Sequence, residues 1–219
     1  YYTKFIGENM KLEVKNVSKR FRDVEVLKDV NITFESGKIY GFIGRNGSGK
    51  SVLLKIICGF YLPTTGSVLL DNYNYIEKNE FPDDTRALIE KPKFIPDLTG
   101  YENLELLASI QNKISKSDIE DTMKKLNFLQ EKDKKYSKYS LGTKQKLGIA
   151  QVLMEDPKIM IFDEPFNGVE NDTAASIRAL LKEEAKKDKI IIIASHIRED
   201  INSLADIVFE IDGGKIRKL

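Results

Sequence analysis

The sequence is poor in several residue types, and each scarcity narrows what the protein can be. Its 219 residues include one cysteine, one histidine and no tryptophan. The single cysteine, Cys58, cannot form an internal disulfide, so a reducing cytosol and a buried structural thiol are expected. No apolar run approaches the roughly 18 residues of a membrane-spanning helix. The first residues, YYTKFIGENMKLEV, also lack the apolar core of a signal peptide.

An excess of charge of one sign is also missing. The 35 basic and 34 acidic residues leave a formal charge of +1, which gives no overall attraction for nucleic acid or for an anionic membrane surface. At 219 residues the chain is long enough to bury roughly 70% of its unfolded surface, as one domain or two closely packed lobes. Because no membrane-spanning run is present, we expect the chain to be soluble.

Met10 directly precedes a strand-like run, so residues 1–9 are interpreted as an upstream extension or a cloning remnant outside the fold.

Strand-like patterns of two kinds are present. The alternating runs KLEVKNV and NITFESGKIYGFI predict strands joined by tight turns, and hence an antiparallel start. The fully apolar runs IMIF and IIIIA, separated by helical segments, are typical of a mostly parallel sheet covered on both faces. A final hairpin, IVFEIDGGKI, is predicted to turn at Gly213 and Gly214.

Helical spacing lies between the predicted strands. The segment SDIEDTMKKLNF is predicted to begin with a capping box of Ser117 and Glu120, and its many lysines are interpreted as a solvated face. The predicted helices are KSVLLKIICGF, which ends near Gly59, two amphipathic segments between Leu98 and Tyr139, one from about Lys144 to Glu155, and one from about Thr173 to Lys187.

The stretch GRNGSGKS, Gly44 to Ser51, matches the phosphate-binding pattern G-x-x-x-x-G-K-[ST], with a predicted strand before it and a helix after it. In such a loop the glycines let backbone N–H groups turn toward phosphate oxygens, and the helix N-terminus adds a favourable dipole. Lys50 would reach the β- and γ-phosphates, and the Ser51 hydroxyl would ligate magnesium. The alternative is a glycine-rich turn without a ligand.

Two carboxylates end a buried strand in IMIFDEP. Open parallel sheets bind ligands beyond the carboxyl ends of their strands, so Asp163 is predicted to hold magnesium, directly or through water. Glu164 is placed to take a proton from an attacking water, a role worth roughly 10²- to 10⁴-fold in rate. The alternative role for both acids is to cap the next helix.

The only histidine, His196, follows the apolar run IIIIA. A lone histidine at the end of a buried strand is more often a packing residue than a reactive one. Its own sequence neighbourhood does not separate the two roles.

Taken together, GRNGSGKS, YSLGTKQKLGIAQ, IMIFDEP, NGVEN and ASH stand in the order, and at about the spacing, of ATP-binding-cassette (ABC) proteins. From about Met10 to Leu219 the chain resembles their nucleotide-binding domain. The resemblance implies an α/β fold of the P-loop NTPase, ABC type, with a mostly parallel sheet flanked by helices, an N-terminal antiparallel β subdomain and a helical subdomain. We expect a single domain over 1–219, with a core lobe at about 10–90 and 145–219 and a helical lobe at about 91–144.

The resemblance also implies roles for individual residues. Phe21 would stack on adenine, while Ser140 and Gly142 of YSLGT would face the γ-phosphate bound by a second cassette that lies head to tail. His196 would hydrogen-bond the γ-phosphate and the attacking water, which favours a functional role over packing. The expected sets are the nucleotide contacts Gly44, Asn46, Gly47, Ser48, Gly49, Lys50, Ser51 and Val52, the catalytic residues Lys50, Glu164 and His196, and the magnesium ligands Ser51, Glu90 and Asp163.

Several positions depart from the family pattern. Glu90 stands where a glutamine usually touches magnesium and senses the transmembrane partner, so it would bind the ion more tightly or alter coupling. Val52 stands in place of a hydroxyl residue and Glu170 in place of aspartate, and these two departures are expected to tune nucleotide affinity and communication between cassettes without removing hydrolysis. Leu141 and Thr143 depart from the usual signature.

The segments ALIEKPKF and DLTGYENL, together with YSLGTKQKLGIA, resemble most the bacterial ABC exporters that remove peptide antibiotics and similar amphiphiles. It implies an ATPase, with ATP and Mg²⁺ as cofactors, that dimerises with an identical or a different cassette and powers a separately encoded transmembrane permease. Such a subunit would be cytoplasmic and peripheral at the inner face of the membrane, with no nucleic acid partner. The alternatives are a non-transport ABC ATPase acting on ribosomes or DNA, and a regulatory module that binds ATP without turning it over.

Overall fold

The computed structural model describes residues 10–219, so the interpretation of residues 1–9 lies outside the described residues. Two sheets and six α-helices make up this part of the chain. The strands are β1 (Lys11–Phe21), β2 (Val24–Glu35), β3 (Lys38–Ile43), β4 (Thr65–Leu70), β5 (Thr85–Leu88), β6 (Ile159–Asp163), β7 (Ile190–Ser195), β8 (Ile207–Asp212) and β9 (Lys215–Lys218). The helices are α1 (Lys50–Ile57), α2 (Gly100–Gln111), α3 (Lys116–Lys125), α4 (Leu141–Leu153), α5 (Asn171–Ala185) and α6 (Arg198–Asn202).

The larger sheet has six strands in the order β5-β6-β7-β3-β8-β9. All neighbours pair in parallel except the final hairpin of β8 and β9, which is antiparallel. Every residue of β6 and β7 is buried. The predicted parallel sheet and the predicted terminal hairpin are therefore confirmed. The runs IMIF of β6 and IIIIA of β7 are fully apolar because both faces of the sheet are covered, one by helices and the other by α1 and a smaller, separate sheet.

Side chains alternate between the two faces of this sheet and supply two separate cores. Met160, Phe162 and Ile191 point to the face that α2, α3, α4 and α5 cover. Ile161 and Ile192, one position along, point to the face that α1 and the smaller sheet cover. Successive side chains of a strand project to opposite faces, so a short apolar strand such as β6 contributes to both cores.

The smaller sheet is antiparallel, with β1 between β2 and β4. The predicted antiparallel start is thus confirmed for β1 and β2. The turn at Ser36 and Gly37 nevertheless leads into a different sheet, since β3 pairs in parallel with β7 and β8. Strands β4 and β5 and helix α6 were not predicted from the sequence.

The segment after β5 is largely helical, as predicted, but the start predicted for α3 is wrong. The capping box is formed by Ser115 and Asp118, and the helix begins at Lys116. The sequence SKSDIED contains two overlapping matches to the capping pattern, and the earlier one lets Ile119 and Met123 reach the core. A second capping box, formed by Thr99 and Glu102, opens α2.

Helices α2 and α3 share one apolar cluster with α4, α5 and the parallel sheet. The division into a core lobe and a helical lobe stays a prediction, since this cluster is continuous across the expected boundaries. Among residues 10–219, no helix combines the length and the apolar composition needed to cross a bilayer.

A buried ion cluster lies at the amino end of β7. The Lys189 side chain is only 2% exposed, and its ammonium group lies 2.6 Å from Oε2 of Glu184 and also pairs with Asp156. Burial opposes ionisation of Glu184, but hydrogen bonds from Lys187 and Lys189 outweigh it and lower the pKa of Glu184. The cluster links the end of α5 to the start of β7.

Candidate nucleotide-binding site

The glycine loop joins the carboxyl end of β3 to the amino end of α1, in the strand, loop, helix order that the sequence predicts. Gly47 and Gly49 have φ angles of 77° and 111°, which residues with a Cβ rarely adopt. A Cβ at Gly49 would also lie 3.0 Å from the carbonyl oxygen of Val26, and one at Gly44 would lie 2.6 Å from that of Ile211. The loop therefore approaches neighbouring backbone so closely at Gly44 and Gly49 that glycine is required at these two positions.

Lys50 lies almost fully buried beneath this loop, with 5% of its surface exposed. Its ammonium group donates to the carbonyl oxygens of Gly44 at 2.7 Å and Arg45 at 3.2 Å. Burial lowers the pKa of Lys50, and the nearby carboxylates of Glu164 and Asp163 oppose that shift. The cation is thus held at the loop by backbone oxygens, at the place where a phosphate would supply a stronger counter-charge.

Asp163 and Ser51 meet at the end of β6. Asp163 is 4% exposed, and burial raises its pKa, against a hydrogen bond from the Ser51 side chain. Its Oδ1 atom is buried and has no partner among the described residues. An unsatisfied buried carboxylate oxygen beside a hydroxyl is a donor set that suits Mg²⁺.

These two residues would supply only part of a magnesium shell. Within residues 10–219, no group of three or more His, Cys, Asp or Glu side chains could hold a metal ion. Mg²⁺ is commonly bound by one or two protein oxygens, with phosphate oxygens and waters completing the shell. The residues present therefore fit a cation that arrives together with a nucleotide.

Glu164 and His196 are brought together by the adjacent strands β6 and β7. The backbone N–H and the Nδ1 atom of His196 both lie 2.9 Å from Oε1 of Glu164, and the Ser195 hydroxyl lies 3.2 Å from Oε2. Glu164 has a φ of 52°, a left-handed conformation that turns its side chain out of the strand direction. Oε1 also lies 4.0 Å from the Lys50 ammonium nitrogen.

The proton on the histidine ring follows from this contact. An ionised carboxylate only accepts hydrogen bonds, so Nδ1 of His196 is the donor in this contact whenever Glu164 is ionised. The ring is 40% exposed and contacts the predicted base, while its role in hydrolysis stays a prediction.

The cleft of the glycine loop contains most of the predicted contacts, together with one residue that the sequence did not indicate. Val26, from β2, lies against the loop because the antiparallel sheet folds over it. Another unforeseen contact is made by Gln145, whose amide donates to the carbonyl oxygen of Glu164 at 3.2 Å. The cleft is lined by Val26, Asn46, Gly47, Gly49, Lys50, Ser51, Val52, Asp163 and Glu164.

Phe21 lies at the end of β1 and is 40% exposed, outside the set of residues that line the cleft. Its ring packs edge-on against Tyr61, with 5.6 Å between centroids. The ammonium group of Lys19 lies 4.8 Å from the Phe21 centroid. The stacking of adenine on Phe21 stays a prediction.

Glu90 forms an ion pair with Lys55. Its Oε1 lies 2.5 Å from Nζ of Lys55, on the face of α1 one turn beyond Ser51. The hydrogen bond from Lys55 lowers the pKa of Glu90, and the Glu90 charge in turn contributes to the raised pKa of Asp163. Glu90 is therefore close enough to influence the predicted metal ligand, while its role as a ligand stays a prediction.

The YSLGT segment forms the start of α4. Ser140 is the N-cap and accepts the Thr143 N–H at 3.1 Å, and Leu141 is 60% exposed. A Cβ at Gly142 would lie 3.2 Å from the carbonyl oxygen of Gly168. Ser140 and Gly142 are not among the residues that line the glycine-loop cleft, so the structure does not bring these two predicted contacts into the site of the same chain.

Comparison with known proteins agrees with this geometry. A family model described as ABC transporter matches residues 27–167. The chain is 37% identical to the uncharacterized ABC transporter ATP-binding protein YybJ of Bacillus subtilis, over 94% of each protein. It is also 37% identical to the bacitracin transport ATP-binding protein BcrA of Enterococcus faecalis, over 90% of this chain and 65% of that protein.

The fold is shared with solved structures. An ATP-binding subunit of an ABC transporter superposes with a TM-score of 0.84 at 25% identity, over 95% of this chain and 90% of the other. The predicted fold class is thus confirmed.

Proposed function

The chain belongs to the ABC transporter family, and from that premise we propose that it is the ATP-binding and ATP-hydrolysing subunit of a bacterial exporter. The observation that carries the proposal is the convergence at one cleft of a buried lysine, an unsatisfied aspartate oxygen and a glutamate paired with the only histidine. Each group matches one requirement of phosphoryl transfer, namely phosphate binding, cation binding and activation of water.

The residues of the cleft divide the work as follows. The backbone N–H groups of the glycine loop and the Lys50 ammonium group hold the phosphates and neutralise charge that builds up on the transferred group. Ser51 and Asp163 would hold Mg²⁺, which neutralises further phosphate charge when bound. Glu164 accepts a proton from the attacking water, and His196 keeps the carboxylate oriented through Nδ1.

A dimer completes this arrangement. Ser140 lies exposed at a helix N-terminus, which attracts anions, yet it is not part of the cleft in its own chain. We propose that it closes over the γ-phosphate bound by a second cassette, identical or different, in a head-to-tail pair. Two such contacts related by a twofold axis close into a dimer that ATP holds together.

We propose that the dimer powers a transmembrane partner. The relative named for bacitracin transport supports an exporter, with a peptide antibiotic as the class of cargo. A separately encoded transmembrane permease would dock near Glu90, in the groove between the parallel sheet and the helices that follow it. The chain would then lie at the cytoplasmic face of the membrane.

Phosphate release from MgATP tests the proposal. We expect turnover that rises faster than linearly with protein concentration, and none detectable for Lys50→Ala, since the buried cation is lost. Lys38→Ala, which removes an exposed lysine paired with Glu35, is the matched control and should behave as the unmodified protein. Binding of ATP without phosphate release would support a regulatory module instead.

A second measurement tests the dimer. Glu164→Gln should slow turnover by at least about 100-fold and accumulate an ATP-bound dimer, detected by light scattering after size exclusion. Glu183→Gln, an exposed acid on α5, is the control. A Glu164→Gln protein that stays monomeric with MgATP and turns over at the normal rate would contradict the role given to Glu164.

A further inference from the structure

We infer that Arg178 is a positioning residue for the Glu164 and His196 pair, because it ties together the two chain segments that carry these side chains. The inference rests on the proposed function, since it gives Arg178 a part in ATP hydrolysis. Nothing in the sequence pattern points to it. Arg178 lies in the middle of α5, well separated along the chain from both segments.

The contacts of Arg178 reach one residue on each side. Its guanidinium carbon lies 4.8 Å from the centroid of the Phe166 ring, and Phe166 follows Glu164 by two positions. Its Nη2 atom is paired with Oδ1 of Asp200, which follows His196 by four positions. Arg178 therefore bridges the segment after β6 and the segment after β7.

This bridge is shielded from water. Phe166 and Asp200 are each 7% exposed, and the Arg178 side chain is 23% exposed. Cation–π contacts and ion pairs are both stronger when they are desolvated. The bridge is consequently a firmer constraint than an arginine on the surface would provide.

Few other polar contacts determine where Arg178 sits. Its Nε–H is buried and has no partner among the described residues. The guanidinium is thus held by Phe166 on one side and by Asp200 on the other. Loss of either partner would release both segments from this constraint.

The two segments already meet at the site. Nδ1 of His196 lies 2.9 Å from Oε1 of Glu164, so a small shift of either segment would lengthen that contact. Misplacement of a reacting group by about 1 Å can lower a rate 10²-fold. On the far side of α6, Ile201 packs where a Cβ at Gly41 would lie, only 2.2 Å from its Cγ2 atom, so this helix is anchored to β3 independently. Arg178 adds the constraint between the two segments.

The test uses the full-length protein and compares the kcat and the KM for ATP of Arg178→Met, Arg178→Lys and Asp200→Asn. Arg178→Met keeps an unbranched apolar stem and removes the charge, so we expect kcat to fall about tenfold while KM changes less than about twofold. Arg178→Lys should keep a higher kcat than Arg178→Met, because lysine retains the positive charge but lacks the planar guanidinium that stacks on Phe166. Arg217→Met is the matched control, since Arg217 lies in the terminal hairpin, is 73% exposed and pairs with Glu210.

A second background separates positioning from general stability. In Glu164→Gln protein, Arg178→Met should lower the residual turnover less than about twofold, because the base that it positions is already absent. An equal loss in both backgrounds, or a folded Arg178→Met protein with normal kcat, would overturn the inference. If Arg178→Met does not fold, Asp200→Asn and Arg178→Lys decide by the same criteria. Failure of the unmodified protein to release phosphate would instead overturn the proposed function.

Discussion

The ammonium nitrogen of Lys55 lies 2.5 Å from Oε1 of Glu90, at the position where the family usually has a neutral glutamine. The hydrogen bond from Lys55 lowers the pKa of Glu90, and the pKa of Lys55 is raised in return. The extra negative charge beside the predicted metal ligand is therefore balanced by a lysine on the helix that carries Ser51.

Removal of the Lys55 ammonium group should leave the negative charge of Glu90 unpaired near the predicted metal site. For Lys55→Met we expect the Mg²⁺ concentration at half-maximal ATP turnover to fall about three- to tenfold, because an unpaired carboxylate near Asp163 attracts the cation. Glu90→Gln should raise this Mg²⁺ concentration or leave it unchanged. If neither Lys55→Met nor Glu90→Gln alters the Mg²⁺ concentration at half-maximal turnover, Glu90 does not act on the metal. Lys38→Met is the control, since it breaks an exposed pair far from the cleft.

Replacement of His196 by alanine should slow hydrolysis by about tenfold or more, with a much smaller effect on ATP binding. The ring contacts the carboxylate of Glu164 and not the glycine loop, so affinity depends on it only weakly. Phosphate release and binding of a fluorescent ATP analogue measure the two effects separately. A fully active variant would return His196 to a packing role.

Two defective chains should restore each other if the cassettes are identical. Lys50→Ala loses phosphate binding, and Gly142→Asp places a carboxylate where Ser140 would face the phosphate of the partner. Each is expected to be inactive alone. A mixed dimer contains one site with both an intact glycine loop and an intact signature, so phosphate release should reappear on mixing. Mixtures that stay inactive would contradict a homodimer with shared sites.

Glu184→Gln should destabilise the fold in a pH-dependent way. The folded-state pKa of Glu184 is lowered, so its contribution is present above its unfolded pKa of about 4.3 and is lost as the pH falls through the folded value. Breaking a buried pair costs about 3 kcal/mol or more near pH 7, and the difference from the unmodified protein should shrink below about pH 4. Urea unfolding across pH measures it. The exposed neighbour Glu183→Gln should change stability by less than about 0.5 kcal/mol.

Local patterns predicted the site better than the connections around it. The glycine loop, the acids that end β6 and the histidine after β7 are each fixed by a short pattern next to a buried strand, and the parallel sheet brings the two strand ends together. The Glu164 and His196 pair follows from that adjacency.

The missed features depend on contacts between distant parts of the chain. Lys55 and Glu90 are 35 residues apart, and no local pattern pairs them. Strand β5 has four residues and no alternation of its own, so its pairing with β6 defines it. The start of α3 was ambiguous because two capping patterns overlap, and burial of Ile119 and Met123 selects the earlier one.

The contact between His196 and Glu164 has a practical consequence for spectroscopy. With one histidine in 219 residues, the imidazole ring contributes one Cε1–H and one Cδ2–H resonance to a proton NMR spectrum, so a histidine signal can belong only to His196. Because that ring touches Glu164, a nucleotide that binds in the glycine-loop cleft should change its chemical shift.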